Sequence, residues 1–175
     1  MTFVGVGEWL ARREQLTPEK IGLIDVETQQ RLTYRVLMLR AYALATVLRE
    51  EYAVRQGDRV VVLALNAPEY LDAFFACALL GAILVPLNVR LTLRELTLIL
   101  TDCEPKLLLH DDAHHRQASD LSLLVNASTI EPVQLLAFSA FPGAVPALAL
   151  RCMPFQTLDG EEIALILYTS GTTGV

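Results

Sequence analysis

The 175-residue sequence is 53% hydrophobic and 19% charged, with a net charge of −6. A chain of this length buries roughly 70% of its unfolded surface, and with so much apolar material a disordered chain is excluded. The longest basic feature is Arg12-Arg13, which excludes nucleic acid as a default partner but leaves open an anionic small molecule held by backbone amides and hydroxyls.

In chain order, the pattern predicts a short helix over 7–15, then a hairpin of 21–26 and 31–33 around the polar Glu27-Thr28-Gln29-Gln30 turn. Thr33 is placed to cap a long helix on which Leu37, Ala41, Leu44, Ala45 and Leu48 recur at helical spacing, with Arg35, Arg40, Arg49 and Glu50 elsewhere. Gly57-Asp58 is a turn that closes this amino-terminal lobe, residues 1–57.

A regular alternation follows over 58–110. Residues 60–65 form a continuous apolar run, the pattern of a strand covered on both faces, and Pro68 suits the first turn of a helix. The 17 uncharged residues from Ala73 to Val89 fall just short of a bilayer span and are interrupted by Gly81 and Pro86. They read as a buried helix and a strand over 83–87, with no transmembrane segment. Thr92-Leu93-Arg94-Glu95 is a capping box opening a helix with Leu96, Ile99 and Leu100 inward, and 107–109 is a third strand.

Strand, helix, strand, helix, strand with short links and right-handed crossovers predicts an α/β fold, a largely parallel sheet flanked by helices. Residues 111–160 read as a loop-rich section containing Pro132, Pro142, Pro146 and Pro154, with a helix near 112–118 and strands near 121–125 and 148–152. An apolar strand over 163–168 then leads into a hydroxyl- and glycine-rich run ending at Val175.

That run, Thr169-Ser170-Gly171-Thr172-Thr173-Gly174, combines four hydroxyls with glycines that let amides turn inward without a Cβ. Ligands of open α/β sheets bind beyond the carboxyl ends of strands, where this loop is expected. It lacks the lysine of the common nucleotide loop and the Gly-x-Gly-x-x-Gly dinucleotide spacing. By composition alone it suits a flexible polar turn better than a phosphate loop.

Other residues have plainer readings. Three scattered cysteines, Cys77, Cys103 and Cys152, indicate neither zinc nor a disulfide framework and suit a reducing, cytoplasmic compartment; Cys77 reads as a packed small hydrophobe. The amino terminus lacks the pattern of a secretory signal, so the triplet Asn126-Ala127-Ser128 reads as chance. His110-Asp111-Asp112-Ala113-His114-His115 has the side chains of a metal cluster but reads better as a solvated loop after a strand. Asn88 and Arg90 follow a strand where a site could form, but Arg90 reads better as serving a turn or a structural ion pair. Ser170 lacks the Gly-x-Ser-x-Gly context of a hydrolase nucleophile.

The sequence YTSGTTG after an apolar strand resembles the signature of the adenylate-forming, AMP-binding superfamily. The stretch from Gly57 to Asp112 also resembles the amino-terminal part of that family's fatty-acid and related carboxylate–CoA ligases, so the likeness covers about Leu16 to Val175. The resemblance implies a two-step acid–thiol ligation. A carboxylic acid, a fatty acid on overall likeness, attacks ATP to give an acyl-adenylate and pyrophosphate, and coenzyme A then displaces AMP, with Mg²⁺ as the implied metal. It assigns Thr169, Ser170, Thr172 and Thr173 as hydroxyl donors to the nucleotide phosphates, and Gly171 and Gly174 as the points of backbone freedom; it assigns no catalytic residue to this chain.

The family's pattern continues after one variable residue with Pro-Lys-Gly, and its adenine, carboxylate and ribose sites and catalytic lysine lie further downstream. The expectation is an amino-terminal fragment inactive by itself, with residues 163–175 a strand and an interrupted phosphate loop, and with exposed apolar surface favouring a homo-oligomer or aggregation. A stand-alone, non-catalytic interaction module and a compact nucleotide binder are the alternatives.

Overall fold

A computed structural model describes residues 5–127, 132–141 and 163–169. The chain begins with helix α1 (Val6–Leu16), the antiparallel hairpin β1 (Ile21–Ile24) and β2 (Arg31–Thr33), and the long helix α2 (Tyr34–Glu50). Strand β1 stops short of the predicted end because Asp25 folds its carboxylate back onto the turn, accepting from the amide of Glu27 at 2.9 Å and the hydroxyl of Thr28 at 2.6 Å. Thr33 caps α2, its hydroxyl accepting from the Val36 amide at 3.3 Å. Leu37, Ala41, Leu44, Ala45 and Leu48 are all buried, as their spacing predicted.

Three crossovers follow: β3 (Arg59–Leu63), α3 (Pro68–Leu80), β4 (Ile83–Pro86), α4 (Leu93–Cys103), β5 (Leu107–His110), α5 (His115–Asn126) and β6 (Gln134–Ala137). The strands form one parallel sheet in the order β4-β3-β5-β6, with Val61 level with Val85 and Leu108. The α/β class with a parallel sheet flanked by helices is the one the sequence predicts. Alternation decides which layer each side chain joins. Val60, Val62, Leu107 and Leu109 pack with α1, α2 and α3, whereas Val61, Leu63 and Leu108 pack with α4 and α5. Both faces are covered, which is why these strands are apolar without a break.

Gly81, at a left-handed φ of 67°, ends α3, and the Ala82 amide returns to the Cys77 carbonyl at 3.0 Å. The long apolar run is thereby split between α3 and β4. Among the described residues no helix is long and apolar enough to cross a membrane. The capping box at α4 is complete: the Thr92 hydroxyl accepts from the Glu95 amide at 3.3 Å, and the Glu95 carboxylate accepts from the Thr92 amide at 2.8 Å.

Where α1 crosses α3 the backbones nearly touch, because a Cβ on Gly7 would lie 2.8 Å from the Ala78 carbonyl oxygen. Gly7→Ala gains about 1 kcal/mol of helix propensity, but forcing a methyl against a backbone oxygen costs about 1–3 kcal/mol. We expect urea unfolding to show a net loss. Stability equal to the wild type would mean that α1 slides freely on α3.

The section after β5 departs from the sequence reading, since among its described residues it holds a 3-10 turn (Asp112–His114), a full helix and a sheet strand. The predicted strand at 121–125 lies inside α5. Ala118, Leu121, Ser122 and Val125 are buried at i, i+3, i+4 and i+7, while Leu123 and Leu124 face outward, so LSLLV is one and a half turns of an amphipathic helix. Strand β6, not predicted, is held to that helix: the Val133 amide donates to Asn126 Oδ1 at 2.7 Å and the Ser122 hydroxyl donates to the Val133 carbonyl at 3.0 Å. The strand predicted near 148–152 lies outside the described residues.

Of the predicted strand at 163–168, one parallel bridge forms, Leu165 to Leu84 on the outer side of β4. The Leu84 amide donates to Ala164 O at 3.1 Å and the Ile166 amide to Leu84 O at 3.0 Å. Among the described residues nothing pairs with its other side, and Ile163 and Leu167 are exposed. A strand with one ladder partner and one covered face does not propagate, and only Ile166 packs on the core formed with α4 and α5.

Candidate functional site

Helix α3 leaves β3 on one face of the sheet and α5 leaves β5 on the other, so the crevice of this fold lies between the carboxyl ends of β3 and β5. Asp111 spans it. Its Oδ2 accepts from the Leu65 amide at 2.8 Å and its Oδ1 from the His114 amide at 2.9 Å, with His114 Nδ1 also 2.6 Å from Oδ1. Partial burial alone would raise the Asp111 pKa; the Leu65 and His114 contacts outweigh it and hold the carboxyl below its ordinary value. Both oxygens are occupied, so Asp111 fastens the two strand ends together and offers no free base.

His110 is buried at the end of β5. Its Nδ1 lies 2.8 Å from the Asp111 carbonyl, which can only accept, so Nδ1 carries a proton, and Nε2 lies 3.4 Å from His115 Nδ1. His110 is therefore a buried strand end and Asp111 a helix cap, while Asp112, Ala113 and His115 are exposed, as a solvated stretch after a strand requires. Among the described residues no group of three or more His, Cys, Asp or Glu side chains could hold a metal ion. Asn88 Oδ1 accepts from the Arg90 amide at 3.0 Å, which settles this pair as a turn.

A second perturbed carboxylate, Asp72, sits between α2 and α3. Its Oδ2 accepts from Arg40 Nε at 2.8 Å and Nη2 at 2.5 Å, Arg40 also reaches Glu69 at 3.0 Å, and Asp72 Oδ1 is buried with no partner. Burial raises the Asp72 pKa in spite of Arg40. Arg40, predicted away from the packed stripe of α2, is thus a half-buried strut between helices. Burial also pushes the thiols of Cys77 and Cys103 up, to about 12 and about 11, so neither is a nucleophile at neutral pH.

Of the six residues assigned to the phosphate loop, Thr169 is described and exposed; Ser170, Gly171, Thr172, Thr173 and Gly174 lie outside the described residues. The segment leading to Thr169 does not reach the crevice at Asp111. It runs from the bridge beside β4 to the last turn of α4, where the Tyr168 hydroxyl donates to Asp102 Oδ2 at 2.5 Å. Burial, and then the Asp102 carboxylate, raise the Tyr168 pKa, so the phenol remains a donor. The same turn is fastened from β3, since Arg59 donates to the carbonyls of Cys103 at 2.6 Å and Glu104 at 2.8 Å. These links join residues 66 and about 45 positions apart, with no local pattern to announce them.

Comparison with known proteins is consistent along nearly the whole chain. A 2-succinylbenzoate–CoA ligase of Bacillus velezensis is 37% identical over 166 residues, 95% of this chain and 31% of the ligase. The long-chain-fatty-acid–CoA ligase FadD13 of Mycobacterium tuberculosis is 30% identical over 97% of this chain and 33% of its own length. In an inhibitor-bound crystal structure, the N-terminal domain of FACL13 from Mycobacterium tuberculosis superposes with a TM-score of 0.75 at 27% identity, over 98% of this chain and 42% of that one. The chain spans about a third of the length of these curated relatives. Residues 10–175 match the AMP-binding enzyme family, and the chain belongs to that family.

Proposed function

We propose that the chain is the amino-terminal part of an ATP-dependent acyl-CoA ligase. The observation that carries this reading is the family match over residues 10–175, which includes the run Thr169 to Gly174 in sequence. In the proposed reaction a carboxylate oxygen attacks the α-phosphorus of ATP, and the bond to the departing pyrophosphate breaks. The sulfur of coenzyme A then attacks the acyl carbon, and the bond to AMP breaks. Thr169, Ser170, Thr172 and Thr173 would donate hydroxyl hydrogens to the β- and γ-phosphates, with Gly171 and Gly174 letting amides approach; such donors act on charge that grows during pyrophosphate departure.

ATP suits this donor set, which is neutral and rich in hydrogen-bond donors. Mg²⁺ belongs to the same reading and would accompany the nucleotide phosphates. The acyl group we propose is a fatty acid, supported by overall likeness; other relatives are named for acids that carry an aromatic ring, 2-succinylbenzoate–CoA ligase and feruloyl-CoA synthase. A cytoplasmic location belongs to the same reading and is supported by the free thiols of Cys77 and Cys103.

The test is a pyrophosphate-release screen of the complete protein over carboxylates of increasing length and with aryl groups. Release that depends on one carboxylate class, followed by thioester formation, is the expected result. The 175-residue chain alone is expected to form no acyl-CoA, and robust formation by it would overturn the fragment reading.

A further inference from the structure

His110 closes the end of β5 through one ring nitrogen. Its Nδ1 donates to the Asp111 carbonyl at 2.8 Å, which leaves Nε2 as the lone-pair nitrogen of the neutral ring. Nε2 lies 3.4 Å from His115 Nδ1, with the ring centroids 5.0 Å apart and the ring planes tilted by 55°. That separation is long for a hydrogen bond, since N–H donors usually close to about 2.7–3.2 Å. It matches the edge of a tetrahedron, because two nitrogens each about 2.0–2.1 Å from one Zn²⁺ stand about 3.3–3.4 Å apart. The right angle of an octahedral site would bring the same two nitrogens to about 2.9 Å.

Both rings sit on fixed elements. His110 is 1% exposed and level with Leu63 of β3, and His115 is the first residue of α5, whose Ala118 and Leu121 are buried. His114 is engaged elsewhere, with Nδ1 2.6 Å from Asp111 Oδ1.

We propose that His110 and His115 form a two-imidazole site for a tetrahedral divalent transition metal, Zn²⁺, between the end of β5 and the start of α5. Imidazole suits Zn²⁺, Cu²⁺ and Ni²⁺, and the spacing selects the ion among them that takes tetrahedral geometry. The bond from His110 Nδ1 to a backbone carbonyl is the outer contact that metal-bound histidines ordinarily make; it fixes the ring and makes Nε2 a better donor to the ion. His115 is exposed, which gives the ion a path from solvent, and it binds through Nδ1 with its proton on Nε2. Among the described residues no third His, Cys, Asp or Glu completes a set, so two positions are left to water or to an anionic ligand entering the crevice between β3 and β5. The site is therefore open, unlike a structural zinc centre with four protein ligands. It holds with or without the ligase reading.

The experiment titrates Zn²⁺ calorimetrically into the complete, metal-free protein and into His115→Ala, His115→Gln and His114→Ala variants, with urea unfolding in the absence of metal as the check on folding. Zinc affinity at this site is expected to fall at least 10-fold or so in both His115 variants, since losing a ligand costs no less than losing an outer contact, and to match the wild type in His114→Ala. Zn²⁺ is expected to raise the Tm of the wild type but not of His115→Ala, because an ion that binds only the folded chain stabilises it. Co²⁺ in place of Zn²⁺ is expected to give the strong visible absorption of a four-coordinate ion, lost in His115→Ala. Equal zinc affinity in the wild type and the His115 variants, an equal loss in His114→Ala, or the weak absorption of six-coordinate Co²⁺ would each overturn the proposal. Nitrogen-15 spectra of the wild-type imidazoles need no variant: zinc is expected to shift His110 Nε2 and His115 Nδ1 while His110 Nδ1 keeps its proton, and unshifted resonances would sink the site by themselves.

Discussion

Arg40→Ala is expected to destabilise the chain by about 3–5 kcal/mol at neutral pH, the cost of leaving a buried carboxylate without its counter-charge. The side chain of Asp72 is 3% exposed and that of Arg40 17%, so solvent screens the pair little. Arg40 puts two N–H groups on Asp72 Oδ2, and Oδ1 already has no partner. Removing Arg40 therefore strips Asp72 Oδ2 of both guanidinium donors. For Arg40 itself, burial works against the charge, but Asp72 and Glu69 outweigh it and the guanidinium pKa is raised.

The pH dependence has a definite sign. The Asp72 pKa is already raised in the folded chain by burial, so the folded state holds a proton where the unfolded state has lost it, and this contribution to stability falls as pH rises. Without Arg40 the folded pKa moves further up. The deficit of Arg40→Ala is thus smallest below the ordinary carboxylate range, about pH 4, and grows as pH rises through the folded Asp72 value. Urea unfolding at a series of pH values measures it. A deficit constant from acid to neutral pH would mean that water reaches Asp72. Arg40→Met combined with Asp72→Leu is expected to regain most of the loss, since an apolar pair needs no counter-charge.

The fold was legible where a local pattern had one physical solution. Val60 to Leu63 have no polar face, so a strand covered on both sides was the available arrangement, and the structure covers both. Thr92 and Glu95 announce their helix because the two bonds of the capping box need that spacing. Leu121 to Val125 misled because five mostly apolar residues fit a strand or a helix; the deciding information was the burial of Ala118, three residues earlier. Strand β6 was missed because a four-residue edge strand after Pro132 carries little signal of its own, and its anchors Ser122 and Asn126 lie on α5.

The candidate site divides along the same line. The hydroxyl and glycine content of Thr169 to Gly174 is visible in sequence because phosphate recognition by a loop depends on residue type in a short stretch. What orients the approach to the loop is not visible, because Tyr168 to Asp102 and Arg59 to Cys103 join distant segments whose neighbourhood only the packed sheet creates. The histidine-rich stretch shows the same limit from the other side. Its residue types suggest ligands, but the fold uses His110 and Asp111 to close the ends of β3 and β5.

On the proposed function, Thr172→Val in the complete protein is expected to lower kcat for adenylate formation roughly 100-fold, the cost of removing one preorganised donor from developing charge. The carboxylate KM is expected to stay within about 2-fold, because the hydroxyl is assigned to phosphate oxygens that the carboxylate does not touch. Valine keeps the branched shape and removes only the hydroxyl, so a fall in kcat reports the hydrogen bond and not the size of the side chain. Gly171→Ala tests the other half of the assignment. If Gly171 is needed for close approach of backbone amides, a Cβ there should weaken ATP binding in calorimetry as well as slow turnover, whereas the hydroxyl loss should act mainly on turnover. Equal effects of the two substitutions on affinity and rate would contradict this division of roles. Full activity in both would remove Thr172 and Gly171 from the phosphate contacts and leave Thr169, Ser170, Thr173 and Gly174 as the assigned donors to test.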